Sequence, residues 1–175
     1  MTPPAPLGRY LAGYPAGVLA QVEVLLAQGR LLESVLQRHA DAHEVRTDPA
    51  LYAYVLELKS RFMRMAPSVS KVVYDPRLHL VEQALGTHTA VSRVQGGRLK
   101  AKREIRIASL FRDAPQAFLR MIVVHELAHL KEREHDRAFY ALCTHMEPDY
   151  HQLEFDVRLW LTARELETPP ARPAI

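Results

Sequence analysis

The sequence is poor in cysteine and has no long apolar run, and each shortage excludes a class of protein. Its 175 residues include a single cysteine, Cys143, which excludes an internal disulfide framework and a cysteine-rich zinc module. The most apolar early stretch, residues 18–27, contains Gln21 and Glu23 and is far too short to span a bilayer. Because no targeting segment is recognisable, we expect a cytoplasmic protein without a membrane partner.

Periodicity divides the chain into a helical first part and a mixed remainder. Apolar residues recur at helical spacing over 16–64, where Asp48-Pro49 is typical of a helix start. Three segments are typical of strands: 69–74, 89–94 and 100–107. Gly96-Gly97 lies between the last two and predicts a tight antiparallel hairpin. Helical spacing returns in three further segments: 116–131, 138–146 and 150–166.

The nine histidines are concentrated, because five of them lie between His125 and His151. Residues 125–129 have the pattern HExxH, which places two imidazoles on one helix face about one turn apart. Imidazoles at this spacing can share one zinc ion at roughly 2.0–2.1 Å. Glu126 is rotated by about 100° from His125 on such a helix. It can therefore act as general base on a metal-activated water without being a ligand.

A catalytic zinc ion needs a third protein ligand and an open position for water. His135 is the first candidate for this ligand. On a continuous helix, its side chain would be rotated by about 240° from that of His129, six residues earlier, and would face away from the metal. The helix must therefore end soon after His129. Asp136 is a typical N-cap residue, which favours a break there. The alternatives are two carboxylates farther along the chain: Glu147 and Glu154. Zinc is the expected ion, and another divalent metal is an alternative.

Positive charge is concentrated in one region of the chain. Residues 91–112 contain seven basic side chains and one acidic one, Glu104, whereas the whole chain has a net charge of +3. Such a cluster is typical of a surface that binds nucleotide or nucleic-acid phosphates. It is equally typical of a charged strand edge that resists aggregation. The side chains expected to hold phosphates are Arg93, Lys100 and Lys102.

Three segments together resemble a known protein family: 123–135 (VVHELAHLKEREH), 146–150 (MEPDY) and 85–97 (LGTHTAVSRVQGG). They are similar to the YgjP-like branch of zincin metallopeptidases, which is related to the SprT-like proteases. The resemblance covers about residues 65–165. It implies that His125, His129 and His135 are zinc ligands and that Glu126 is the catalytic acid and base.

The same resemblance implies an α+β, zincin-like fold. In this fold a small antiparallel sheet with its hairpin packs on the HExxH helix, with helices before and after it. The length and the apolar fraction of 48% suit one domain, which we place at 16–167. Its helical part is 16–66 and its metal-site core is 67–167. The proline-rich ends are expected to be flexible: 1–15 and 168–175.

Three functions are compatible with these features, and we expect the first of them. The first is a zinc-dependent metallopeptidase, in which Glu126 takes a proton from zinc-activated water and returns it to the leaving amine. The second is a metal-dependent UTP pyrophosphatase whose basic hairpin binds phosphates, an activity described for some YgjP-like proteins. The third is a non-enzymatic nucleic-acid-binding module with a structural zinc, which would need a fourth protein ligand.

The expected partner is accordingly a peptide or a nucleotide, with weak nucleic-acid contact through the basic hairpin. The sequence gives no indication of the oligomeric state. The candidate substrate-binding residues, which include the candidates for stabilising an oxyanion, are His88, Arg93, Lys100, Lys102 and Tyr150.

Overall fold

The computed structural model describes residues 5–78 and 103–167, and all structural statements below refer to these residues. They form helices and two strands, which correspond to the predicted strands at 69–74 and 100–107. The elements in chain order are α1 (Ala5–Leu11), α2 (Ala16–Ala27), α3 (Leu31–Arg38), α4 (Asp48–Phe62), β1 (Val69–Asp75), β2 (Arg103–Ala108), a 3-10 helix (Ser109–Asp113), α5 (Gln116–Ala128), α6 (Arg137–Met146) and α7 (Tyr150–Glu167). No helix among the described residues is both long and apolar enough to cross a membrane.

The described residues form two compact units. One unit takes 5–40 and 152–167, and the other takes 41–78 and 103–151. Helix α4 groups with the HExxH helix, because α4 packs against β1 and α5.

The first unit contains α1, α2, α3 and most of α7. The carboxylate of Glu167 accepts hydrogen bonds from the backbone N–H groups of Leu31 and Leu32, at 2.9 and 3.1 Å. These donors at the start of α3 have no partner within the helix, so the C-terminal end of α7 supplies a cap for α3. Asp156 is 2% exposed and accepts hydrogen bonds from Arg38 and His39, which secures the end of α3.

Helix α1 occupies a stretch for which we expected a flexible N-terminus. Leu7 and Leu11 are 2% and 1% exposed, so this short helix buries an apolar face. The backbone carbonyl of Tyr10 accepts a hydrogen bond of 2.9 Å from Arg158 of α7. Prolines near a helix start are compatible with helical geometry, so a proline-rich segment can contain a short helix.

The second unit contains a two-stranded sheet whose strands are parallel, so the predicted antiparallel sheet is wrong for the described strands. Val72 lies opposite Ile105, and Tyr74 lies opposite Ile107. The hairpin signal at Gly96-Gly97 is local, whereas this pairing joins strands separated by 76–102, a connection long enough for a parallel crossover. The first strand and the turn of the predicted hairpin lie outside the described residues.

Helix α5 is the most buried helix of this unit. Phe118, Leu119, Val123, Val124 and Leu127 are all 0% exposed, so the helix contacts other elements on several sides and its position is strongly determined. The chain after its C-terminal end is also fixed, because Arg103 of β2 donates a hydrogen bond of 2.8 Å to the carbonyl of Leu130. The HExxH residues lie at this end of α5.

Candidate metal centre

Three imidazole rings meet where α5 ends. The Nε2 atoms of His125 and His129 are 3.1 Å apart. The Nε2 atom of His135 lies 3.3 Å from that of His125 and 3.0 Å from that of His129. His125 belongs to the last turn of α5, His129 follows its last residue, and His135 lies in the connection to α6. The structure therefore brings the two motif histidines and the predicted third one together.

The connection between α5 and α6 explains how His135 reaches the other two histidines. Lys131 and Glu132 donate their backbone N–H groups to the carbonyl of Ala128, which closes a tight turn after α5. The carboxylate of Asp136 then accepts a 3.0 Å hydrogen bond from the backbone N–H of Phe139 and caps α6. The predicted break and N-cap are confirmed.

The geometry and the donor set both fit a metal ion. Two nitrogens bound to one tetrahedral zinc ion at 2.0–2.1 Å lie about 3.3 Å apart, close to the three Nε2 separations of 3.0–3.3 Å. A ring nitrogen offers either one N–H or one lone pair, so three of them cannot satisfy one another in a triangle. Three converging lone pairs can instead share one cation.

Two of the rings have hydrogen-bond partners at Nδ1, the nitrogen that faces away from the triangle. The Nδ1–H of His129 donates to the carbonyl of Glu132 at 2.9 Å. The Nδ1 of His125 lies 2.7 Å from the hydroxyl of Tyr150, and both side chains are buried. A carbonyl can only accept, so its contact selects the Nδ1–H tautomer of His129 and leaves the lone pair of Nε2 for a metal. The hydroxyl of Tyr150 can accept from His125 in the same tautomer.

Phe139 of α6 packs against all three imidazoles. Its ring centroid lies 5.0 Å from that of His125, 4.5 Å from that of His129 and 4.7 Å from that of His135. Phe139 is 0% exposed, so it excludes water from one side of the cluster. The apolar ring lowers the local dielectric constant, which strengthens electrostatic interactions between the cluster and a charged group.

Glu126 follows the first ligand candidate on α5. Burial raises the pKa of its carboxyl to about 7, because a low-dielectric environment disfavours the charged form. A cation held by the three histidines would act in the opposite direction by attracting the carboxylate. A carboxyl that can change protonation near neutral pH is suited to accept a proton from water and return it.

The rival third ligands make other contacts. Glu147 forms an ion pair with Nε of Arg120, and Glu154 forms one with Arg158 at 3.0 Å. Within the described residues, the converging donors are the three histidines, and neither carboxylate belongs to that group. The geometry therefore favours His135.

The predicted substrate-binding residues divide into two groups. Tyr150 is 0% exposed and contacts His125 at Nδ1, the nitrogen that faces away from the other two histidines. This position favours a role in orienting His125 over direct contact with a substrate. Tyr150 lies 25 positions after His125 in the chain, so no local sequence pattern indicates this role. The other four residues lie outside the described part of the chain: His88, Arg93, Lys100 and Lys102.

Three arginines of the basic segment are described, and each makes a defined contact. Arg106 lies between the carboxylates of Asp75 and Glu104, at 2.8 and 3.3 Å. The guanidinium of Arg112 lies 4.9 Å from the ring centroid of Tyr74. Arg103 contacts the carbonyl of Leu130. The positive charge predicted for this segment is therefore partly compensated in the structure.

Comparisons with known proteins agree with these features. A family model described as "YgjP-like, metallopeptidase domain" matches residues 57–158, which include all three histidines and Tyr150. The chain is also 59% identical over 157 residues to an Escherichia coli (strain K12) protein described as a UTP pyrophosphatase. That alignment covers 90% of this chain and 94% of the relative. No solved structure matches the chain.

Proposed function

The chain belongs to the YgjP-like family, and from that premise we propose that this hydrolase is a metal-dependent UTP pyrophosphatase. The observation that carries the proposal is the 59% identity, over nearly the whole chain, to a protein described as a UTP pyrophosphatase. The reaction is the hydrolysis of UTP to UMP and pyrophosphate. This substrate takes precedence over the peptide that we favoured from the sequence alone.

We propose that His125, His129 and His135 hold one zinc ion through their Nε2 atoms. Bound there, zinc supplies a Lewis acid and makes a water molecule more acidic. The three Nε2 separations and the two Nδ1 contacts support this assignment. Structural zinc sites usually have four protein ligands. A cluster of three histidines among the described residues therefore supports a catalytic site over the nucleic-acid-binding alternative.

Glu126 is the proposed general base and acid. It takes a proton from the attacking water while the water oxygen forms a bond to the α-phosphorus of UTP. The bond between that phosphorus and the α–β bridging oxygen breaks, and the bridging oxygen leaves with pyrophosphate. Glu126 then gives the proton to pyrophosphate or to solvent, which returns the carboxylate to its starting state.

Metallopeptidase activity is the second candidate, because the HExxH pattern and the description of the family both suit it. Purified protein loaded with zinc should be incubated separately with UTP and with casein. We expect release of pyrophosphate and UMP from UTP, and no cleavage of casein. Treatment with a chelator should abolish turnover and added zinc should restore it. Cleavage of casein without turnover of UTP would establish the peptidase instead.

Arg103 is a proposed phosphate-binding side chain. Its guanidinium is anchored to the carbonyl of Leu130, the residue after His129. No carboxylate within the described part of the chain forms an ion pair with it, whereas Arg106 on the same strand has two. An arginine keeps several N–H donors after one contact, and its planar fork suits phosphate oxygens.

Arg103→Gln should raise the KM for UTP by about 10- to 100-fold, because hydrogen bonds to charged groups are worth about 1.5–3 kcal/mol. Steady-state kinetics with UTP measure this effect. Arg106→Gln is the matched control on the same strand. We expect it to change KM little, since Asp75 and Glu104 already neutralise Arg106. Equal effects of the two substitutions would show that Arg103 has no special role.

A further inference from the structure

A partly buried polar network connects the middle of α5 with the chain that follows α6. Arg120 of α5 donates from Nε to the carboxylate of Glu147 and from Nη2 to the carbonyl of Met146 at 2.8 Å. It also lies beside Tyr54 of α4. Arg120 thus fixes the last residue of α6 and the residue after it by two separate contacts.

The segment held by Arg120 leads directly to Tyr150. The carbonyl of Glu147 accepts a hydrogen bond of 3.0 Å from the backbone N–H of Tyr150. The carboxylate of Glu147 also accepts one of 3.3 Å from the backbone N–H of Asp149. Glu147 therefore determines the conformation of 147–150 with its backbone and its side chain together.

Tyr150 completes the connection to the histidine cluster. Its hydroxyl lies 2.7 Å from Nδ1 of His125, and its side chain is fully buried, so the ring cannot move far without disturbing its surroundings. The contacts thus form a continuous path from Arg120 through Glu147 and Tyr150 to His125. Partners of this kind orient a metal-binding ring, and their loss usually weakens metal affinity about 10- to 100-fold.

We propose that Arg120 and Glu147 are positioning residues that hold Tyr150 against His125 and thereby set the metal affinity of the three-histidine cluster. The carboxylate that was a rival ligand in the sequence acts through a tyrosine instead of binding the metal. This inference rests on the metal site of the proposed function. It is independent of whether the substrate is a nucleotide or a peptide.

The test measures metal binding by the full chain, without substrate. Zinc affinity is determined by competition with a chromophoric chelator, and the visible absorption of the Co²⁺-loaded protein reports the ligand geometry. We expect Tyr150→Phe to weaken zinc binding about 10- to 100-fold and Glu147→Gln to weaken it by a smaller factor, and both to alter the Co²⁺ spectrum.

Two matched controls separate positioning from a general loss of stability. Tyr74→Phe removes another buried hydroxyl, which donates to the carbonyl of Val45 at 2.6 Å. Glu154→Gln removes another carboxylate paired with an arginine. Both should leave zinc affinity and the Co²⁺ spectrum unchanged, even where thermal unfolding shows lower stability.

The double variant decides whether Glu147 acts through Tyr150. If it does, the double variant Tyr150→Phe/Glu147→Gln should bind zinc with nearly the same affinity as Tyr150→Phe alone. The proposal would be overturned if the two substitutions weakened zinc binding independently in the double variant, or if neither single variant changed zinc affinity. UTP hydrolysis by the wild-type protein tests the proposed function separately. Should Tyr150→Phe fail to fold, Glu147→Gln decides alone, since its side chain is 15% exposed and the substitution preserves its size.

Discussion

Glu126→Gln should lower kcat for UTP by about 10²- to 10⁴-fold, the usual contribution of a positioned general acid and base. Glutamine has nearly the size of glutamate, so the packing around α5 should persist. It cannot accept a proton from water, however, and this step is the one that we assign to Glu126. Zinc content should stay at the wild-type level because the three imidazoles are untouched.

Glu134→Gln is the control for this substitution. Glu134 is exposed in the connection between α5 and α6, and its replacement makes the same change in charge close to the cluster. We expect near wild-type kcat for that variant. A near wild-type kcat for Glu126→Gln would refute the assigned role, and loss of zinc from it would identify Glu126 as a ligand.

His135→Ala should remove zinc from the protein and abolish measurable hydrolysis of UTP. A ligand supplies a direct bond, so its loss should exceed the roughly 10- to 100-fold weakening that follows loss of an outer hydrogen-bond partner. Two imidazoles would remain, and they form an incomplete site for a catalytic zinc ion. Metal analysis of the dialysed protein, combined with the UTP assay, measures both effects.

His145→Ala is the matched control, because His145 is an exposed histidine of α6 whose ring packs edge-on against Phe62. It should retain zinc and activity. Glu154→Gln should also retain them, since that carboxylate is paired with Arg158. Full zinc content in His135→Ala together with loss of zinc in Glu154→Gln would identify the carboxylate as the third ligand.

The parts of the site that follow from local geometry could be predicted from the sequence. The spacing of His125 and His129 determines a shared helix face, and Asp136 indicates the break that brings His135 back. Both features depend on residues close together in the chain. The bond that the proposed metal site would cleave could not be predicted from the motif, because the same motif suits both peptides and phosphoanhydrides. The relative's similarity over 90% of the chain, rather than the motif, favours UTP.

The parts that depend on distant residues could not be predicted. The pairing of β1 with β2 is parallel, and it joins strands too far apart in the chain for a local pattern to indicate its direction. Tyr150 and Glu147 could be noticed only as candidates for other roles. Their contacts with His125 and Arg120 cross 25 and 27 positions of the chain, and such contacts are determined by the packing of whole helices.

The outer hydrogen-bond partners of the histidines have a consequence for the charge of the site. His125 contacts a phenol and His129 contacts a peptide carbonyl, both of which are neutral. Many zinc-binding histidines are backed by a carboxylate instead, which passes negative charge towards the metal. Through these two neutral contacts, a dication held by His125 and His129 would receive less negative charge than it would from two carboxylates. A more positive cluster would attract a polyanion such as a triphosphate more strongly than an uncharged peptide bond.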